Sequence, residues 1–199
     1  MTGRLGAVAR IPDIEAVAAA LALTHDRHPP DATASVMLCL RAGDRGTEVL
    51  LCRRATRDGD PWSGHVGLPG GGVDPGDANA LATAARETRE EVGFDPREHG
   101  RVLGMLEPLR PRTFPILIAA YVAQITSPVE LKLSDEIAVA WWTPFADLRW
   151  ISAEVPGAPT RVSAFELPHA EAQDVVLWGI TYRLLDRLLH AAECGLPAE

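Results

Sequence analysis

Between Asp77 and Gly93 a stripe of small and apolar side chains runs beside a stripe of carboxylates, and this pairing constrains the fold more than any other feature. Glu87, Glu90 and Glu91 stand at i, i+3 and i+4. At about 100° per residue they fall within an arc of roughly 100°, with Leu81, Ala84, Ala85, Thr88 and Val92 centred about 120° away. The spacing predicts a helix from about Asn79 to Val92, with Asp77 or Asn79 as N-cap and Gly93 as the stop. Such a helix can press one stripe onto a sheet while the other presents dense negative oxygen. Like charges at this spacing repel by about 0.2–0.5 kcal/mol per pair, so a compensating partner is expected. A hard divalent cation, which takes oxygen ligands and bridges carboxylates to phosphates, is the obvious one.

The rest of the chain supplies a sheet for that helix. Ser35–Leu40 and Thr47–Arg53 flank a turn around Gly43–Gly46 and read as a β-hairpin. Val102–Leu106, Ile116–Ile125 and Ile137–Trp142 read as strands, Pro144–Leu148 as a short helical turn, and Val162–Leu167 as a further strand. Residues 13–24 read as an Ala-rich helix capped by Asp13. The tail has aliphatic residues at 177, 180, 184, 185, 188 and 189, which predicts a C-terminal helix over about 174–192. Mixed strands with one central and two terminal helices point to an α/β sandwich. Arg54–Gly76 is a long connection with six glycines between 59 and 72, and loops of that length in a compact domain are functional or disordered.

At 199 residues one domain with elaborations is expected. A net charge of −8 argues against a nucleic-acid surface but not against a nucleotide, whose phosphates metals and local arginines can neutralise. Cys39, Cys52 and Cys194 are odd in number and lack CxxC spacing, so neither a disulfide framework nor a zinc site is indicated; the first two sit in apolar runs as core residues. The N-terminus has no basic-then-apolar leader pattern, and no apolar run approaches the roughly 20 residues that span a bilayer. A soluble, cytoplasmic chain without a membrane partner is expected.

The segment from Gly71 to Phe94 resembles the Nudix box, G-x5-E-x7-R-E-U-x-E-E-x-G-U with U aliphatic. Arg86-Glu87, Glu90-Glu91, Gly93 and Phe94 are in register, with Thr88 at the first U. The first half is ambiguous: counted back from Arg86 the acidic slot falls on Ala78, and counted forward from Gly71 it falls on Asp77 with one extra residue. The forward count is similar to the coenzyme A pyrophosphatase branch. That branch's upstream signature, L-L-T-x-R-S-A-x3-R-x3-G-x3-F-P-G-G, aligns without gaps from Leu50 to Gly71, matching Leu50, Leu51, Arg54, Gly64, Pro69, Gly70 and Gly71. Asp60 stands where the branch carries Arg, and the tail Trp178-Gly179-Ile180-Thr181 also looks like the end of coenzyme A-type members.

The resemblance implies a Nudix α/β/α sandwich with a central mixed sheet, and Mg²⁺- or Mn²⁺-dependent hydrolysis of a nucleoside diphosphate linked to another moiety. It makes Glu87 and Glu91 direct metal ligands, Glu90 a ligand or the general base, and a carbonyl of Gly71 or Gly70 part of the metal shell. Arg86 orients the carboxylates, and Glu136 is an additional base or ligand. Arg54, which matches the branch signature, is the leading phosphate contact, and Arg53, Arg57, Arg110 and Arg112 are either surface arginines or, clustered in an acidic chain, further members of a phosphate clamp. Trp62 either stacks on a base or covers the core edge. His65 reads as a structural hydrogen-bonder and Trp178 as packing for the terminal helix. Two rivals stay open: ADP-ribose, a dinucleotide or a nucleoside triphosphate as substrate, motivated by Asp60, and a non-catalytic nucleotide-binding module, motivated by Ala78. Homodimers are common in the family, and no residue here fixes one.

Overall fold

The computed structural model describes residues 6–8, 12–59, 62–111, 114–156, 158, 160–167 and 175–194. Asp60 and Arg112 lie outside them. The chain enters through a short strand, β1 (Gly6–Ala7), and the helix α1 (Ile14–Leu21), whose Asp13 carboxylate accepts from the amides of Glu15 and Ala16 at 2.8 and 3.1 Å. A 3-10 turn over Ala22–Thr24 completes the expected run. Thr24 Oγ1 donates to the Leu21 carbonyl and accepts from the amide of Met105, locking this end to the sheet.

The hairpin is β2 (Ala34–Gly43) and β3 (Gly46–Arg54), paired antiparallel from Gly43↔Gly46 to Leu40↔Val49. Beyond Leu40 its strands part like a fork. Two short strands of the glycine-rich connection fill the gap: β4 (Val66–Gly67) pairs with Cys52 and Arg53 of β3, and β5 (Gly70–Gly72) pairs with Ala34–Val36 of β2. The long connection is therefore partly woven into the sheet. Next come α2 (Ala80–Val92), β6 (Gly100–Leu109), β7 (Ile118–Ile125) and β8 (Ile137–Pro144). β7 runs parallel to β2, whereas β6 joins β7 and β8 joins β3 antiparallel, so the central sheet is mixed.

The strands of the hairpin are buried on both faces. Met37, Cys39, Leu50 and Cys52 face α2, and Ala80, Ala84 and Val92 meet them with Ala119, Tyr121 and Ala123 of β7. Leu38, Leu40, Val49 and Leu51 face the opposite way. There they are covered by α1, by α3 (Gly179–Cys194) and by an antiparallel sheet of β1, β9 (Arg149–Ala153), β10 (Val162–Leu167) and β11 (Val175–Leu177). Leu184, Leu185, Leu188 and Leu189 of α3 are at most 1% exposed, each contributing about 2 kcal/mol of burial. The result is an α/β/α sandwich. Cys39 and Cys52 are buried reduced thiols, and burial raises the pKa of both.

Two sequence expectations need correction. The C-terminal helix starts at Gly179, not near 174, because Val175–Leu177 is a strand paired with Phe165–Leu167 of β10. Gly179, at φ +63, makes the break between strand and helix. Strand β9, absent from the sequence reading, pairs with β10 through Ala153↔Val162 to Arg149↔Glu166. Among the described residues no helix is long and apolar enough to cross a membrane.

Candidate active site

Helix α2 is placed by its two ends. Asn79, not Asp77, is the N-cap, its side chain accepting from the amide of Ala82 at 2.9 Å. Gly93 closes the helix at φ +90 with its amide on the Arg89 carbonyl, and a Cβ there would lie 2.6 Å from that of Lys132. Ala84, Ala85, Thr88 and Val92 are fully buried, as the small-residue stripe requires.

Asp77, displaced from the cap, has another task. Its carboxylate accepts both Arg86 Nε and an Arg86 terminal nitrogen at 3.0 Å, together with Thr83 Oγ1 and the amide of Asp74. These contacts, led by the Arg86 fork, pull its pKa down to about 2. Arg86 also reaches the Gly72 carbonyl at 3.0 Å, Glu87 at 2.9 Å and Glu90 at 3.0 Å. A guanidinium has five N–H donors, and these five contacts use them all. Arg86 is thus a tie between the turn, β5 and the helix, with no donor left over for a substrate.

Glu91 is the most buried of the three carboxylates, at 6% exposure. It accepts the amide of Gly70 at 3.0 Å and has Arg54 at 3.7 Å. Desolvation outweighs both and raises its pKa to about 7. Burial likewise raises the Glu87 pKa from its ordinary value, against the pull of Arg86. Glu87 lies directly against the β5 turn: a Cβ on Gly71 would stand 2.5 Å from its carboxyl carbon. With a side chain at position 71 the carboxylate would have to move. Across the site, Arg54 pairs with Glu136 at 3.7 Å, and Arg57 bonds Asp135 at 3.0 Å and faces Glu136 at 3.8 Å. The amide of Ala55 donates to the Glu136 carbonyl, stitching the end of β3 to this loop.

The fold therefore brings Glu87, Glu90, Glu91, Arg86, Gly71, Arg54 and Glu136 into one assembly. Arg110 is joined to Asp31 instead, at 3.0 Å, and none of its described contacts reaches the carboxylates. Among the described residues no three His, Cys, Asp or Glu side chains already stand at metal-holding spacing; the positive charge between these carboxylates is that of Arg86 and Arg54. The donor set is nonetheless hard oxygen with one member deeply desolvated, the chemistry a Mg²⁺- or Mn²⁺-class ion takes. The missing side chain at Gly71 lets the Glu87 carboxylate lie against the turn.

The NUDIX domain model matches residues 31–165, which include every element of this assembly. The chain belongs to the Nudix family. A MutT/nudix family protein of Enterococcus faecalis superposes with a TM-score of 0.53 at 18% identity, over 86% of this chain and 66% of that one, and so shares the fold. The Nudix hydrolase NudL of Photorhabdus laumondii is 28% identical over 161 residues, 78% of this chain and 82% of that protein. The mouse mitochondrial coenzyme A diphosphatase NUDT8 is 42% identical over 86 residues, 42% of this chain and 39% of that protein. The chain spans 35%, 53% and 39% of the lengths of three curated relatives it matches.

Within the Nudix box the structure places Asp77, not Ala78, on Arg86, so the forward count from Gly71 gives the register of the first half. Sequence reasoning put Asp77 in that slot without giving it a task; the signal was the acidic residue itself, one place off the standard spacing. Ser63 was also missed. Its hydroxyl accepts from the amide of Arg57 at 2.7 Å and closes the loop behind the arginines. His65 and Trp178 meet edge to face at 5.4 Å, and the His65 carbonyl accepts from the amide of Arg54.

Proposed function

We infer that this chain is a divalent-cation-dependent Nudix pyrophosphohydrolase that cleaves a nucleoside diphosphate linked to another moiety, with coenzyme A or an acyl derivative as the leading substrate. The observation that carries the reading is the joint placement of Glu87 and Glu91 against the Gly70–Gly72 turn, with Arg86 using all its donors to hold the surrounding carboxylates. The alignment of Leu50–Gly71 with the coenzyme A branch and the similarity to a protein named as a coenzyme A diphosphatase support the substrate.

The chain's residues divide the work as follows. Glu87, Glu91 and the Gly71 carbonyl would hold the cation, with Glu90 beside them. When bound, the ion supplies charge neutralisation for phosphate oxygens and a more acidic water. Arg54, between Glu91 and Glu136 at the end of β3, would meet a phosphate oxygen. Glu90 and Glu136 are half exposed, and each is a group able to take the proton from an attacking water. Desolvated Glu91 is suited to holding positive charge, since pairing relieves its burial cost. If coenzyme A is the substrate, the products are adenosine 3′,5′-bisphosphate and a phosphopantetheine.

A second reading keeps the chemistry and changes the substrate to ADP-ribose, a dinucleotide or a nucleoside triphosphate; Asp60, in place of the branch's Arg, favours it. Comparing kcat/KM over coenzyme A, ADP-ribose, NADH and nucleoside triphosphates, with Mg²⁺ and with Mn²⁺, separates the two. Release of no product from any of them overturns the hydrolase reading.

A further inference from the structure

The turn that carries Glu136 is held from three sides, and one of its holders has no part in the chemistry above. Residues 134–137 form a turn closed by the Ile137 amide on the Ser134 carbonyl at 3.3 Å, and the Ser134 hydroxyl accepts the amide of Glu136 at 3.3 Å. Helix α2 anchors the near end: the amides of Lys132 and Ser134 donate to the carbonyls of Val92 and Glu91 at 3.0 and 3.1 Å. Carbonyls of a helix's last turn have no partner within the helix, so this strap satisfies them. Strand β3 anchors the far end through the Ala55 amide, 2.7 Å from the Glu136 carbonyl.

Arg57 supplies the third side. One terminal nitrogen donates to the Asp135 carbonyl at 3.1 Å and to the Asp135 carboxylate at 3.0 Å, and the other faces the Glu136 carboxylate at 3.8 Å. The Asp135 side chain is 92% exposed, and an ion pair so open to water contributes little by itself. The contact with the backbone carbonyl acts differently, because it fixes the peptide that leads into Glu136. The pairing of β3 with β8 contributes to the same end. Arg53 stands opposite Val139 and Arg54 opposite Ile137, so Ala138 is an extra residue at a bulge. A bulge shifts the alternation of side chains by one and re-aims those beyond it. The side chain just before the paired strand is Glu136, 3.7 Å from Arg54.

We propose that Arg57 is a positioning residue, which holds the 134–137 turn so that the Glu136 carboxylate stays at the site, and that it does not itself bind phosphate. This rests on the hydrolase reading, and it gives a task to an arginine outside both the Nudix box and the fixed positions of the Leu50–Gly71 signature. A phosphate on Arg57 would have to displace the carbonyl and the carboxylate of Asp135. The two tasks separate in kinetics. A phosphate contact made equally in ground and transition states sets KM, whereas a misplaced proton acceptor lowers kcat.

The test compares wild type, Arg57→Ala, Glu136→Gln and the double variant of the full chain, by steady-state kinetics with Mg²⁺ and by amide hydrogen exchange without metal. Arg57→Ala should lower kcat about ten-fold, in the range that loss of a supporting contact gives, with KM within about two-fold of wild type. Glu136→Gln should lower kcat by at least as much. In the Glu136→Gln background the alanine change should cost less than about two-fold, since the group it positions is already gone. Exchange at the amides of Ala55 and Ile137 should quicken about five-fold in Arg57→Ala, while the Gly93 amide, bonded to the Arg89 carbonyl, keeps its rate. A raised KM at wild-type kcat overturns the proposal in favour of a phosphate contact, and unchanged kinetics overturn it in favour of a surface arginine. Wild-type kcat in Glu136→Gln, a full ten-fold loss in its background, or unchanged exchange at Ala55 and Ile137 also overturns it. A wild type that cleaves nothing removes the hydrolase reading instead, and the exchange rates then decide whether Arg57 holds the turn.

Discussion

Replacing Glu91 by glutamine should make the protein more stable and less active at the same time. In the folded chain this carboxyl titrates at about 7 instead of 4.5, chiefly because burial penalises its charge. The folded state therefore holds the proton more tightly than the unfolded chain, and ionisation between pH 4.5 and about 7 favours unfolding. The cost is absent below 4.5 and complete above 7. At about 1.4 kcal/mol per pH unit the displacement sets a ceiling of about 3 kcal/mol. Glutamine keeps an oxygen for the Gly70 amide but forfeits the attraction of Arg54 at 3.7 Å, which trims the gain to about 1–2 kcal/mol. For a chain of this size that raises Tm by about 2–8 °C. The assay is thermal unfolding with chelator at pH 8 and at pH 4.5. Glu91→Gln should melt higher than wild type at pH 8 and level with it at pH 4.5. Adding Mg²⁺ or Mn²⁺ should raise the wild-type Tm more than the variant's. Turnover should drop by at least about 100-fold. A gain equal at both pH values, or a loss at pH 8, refutes the desolvation argument, and near-wild-type turnover refutes the assignment of Glu91 to the site.

The other predictions concern the ties around it. Arg86→Lys keeps the charge but cannot make the five-donor fork, so denaturant unfolding should show a loss of about 1–3 kcal/mol and kinetics a fall in kcat. Gly71→Ala puts a methyl 2.5 Å from the Glu87 carboxyl carbon; activity should fall about 100-fold, as for a misplaced catalytic group, with Tm changed by only a few degrees, and a wild-type rate means the turn yields without consequence. Asp77 titrates at about 2 instead of 3.8, so its stabilising effect is present above pH 3.8 and lost as pH falls through about 2. Asp77→Asn should accordingly cost about 1–3 kcal/mol at pH 7, with the gap to wild type narrowing on acidification; a constant gap in an acid melting series counts against the ion pair.

What the sequence made legible is what local physics decides. The caps of α1 and α2, the buried stripe of α2 and the hairpin depend on residues a few positions apart, and each stands where the spacing placed it. The parting of β2 from β3 is decided by partners some thirty residues away. Neither strand's composition announces that Gly70–Gly72 will take over the first residues of β2. Val175–Leu177 shows the converse failure. Leu177 falls in helical period with Ile180 and Leu184 of α3 by coincidence, while Val175 and Val176 are β-branched and pair with β10. At the site, the Glu87–Glu90–Glu91 spacing could be read directly, whereas the partner of Arg86 hung on a one-residue choice of register that only the folded turn resolves.

The two arginines of the site meet its carboxylates in different ways. Three penalties meet where Glu90 and Glu91 stand: like charges share one helix face, the last turn of α2 presents the negative end of its dipole, and Glu91 is removed from water. Arg86 answers the first two from within the helix, and its contacts, all at hydrogen-bond length, leave it rigid and fully used. Arg54 answers the third from β3, and its carboxylates stand at 3.7 Å, beyond hydrogen-bond length though still within Coulombic reach. If Glu87 and Glu91 hold a cation, a phosphate oxygen beside it would offer Arg54 a shorter charge-assisted bond than these two ion pairs. It could not do the same at Arg86 without undoing the turn, β5 and the helix together. Arg54→Lys should therefore raise KM with the fold intact, where Arg86→Lys loosens the fold.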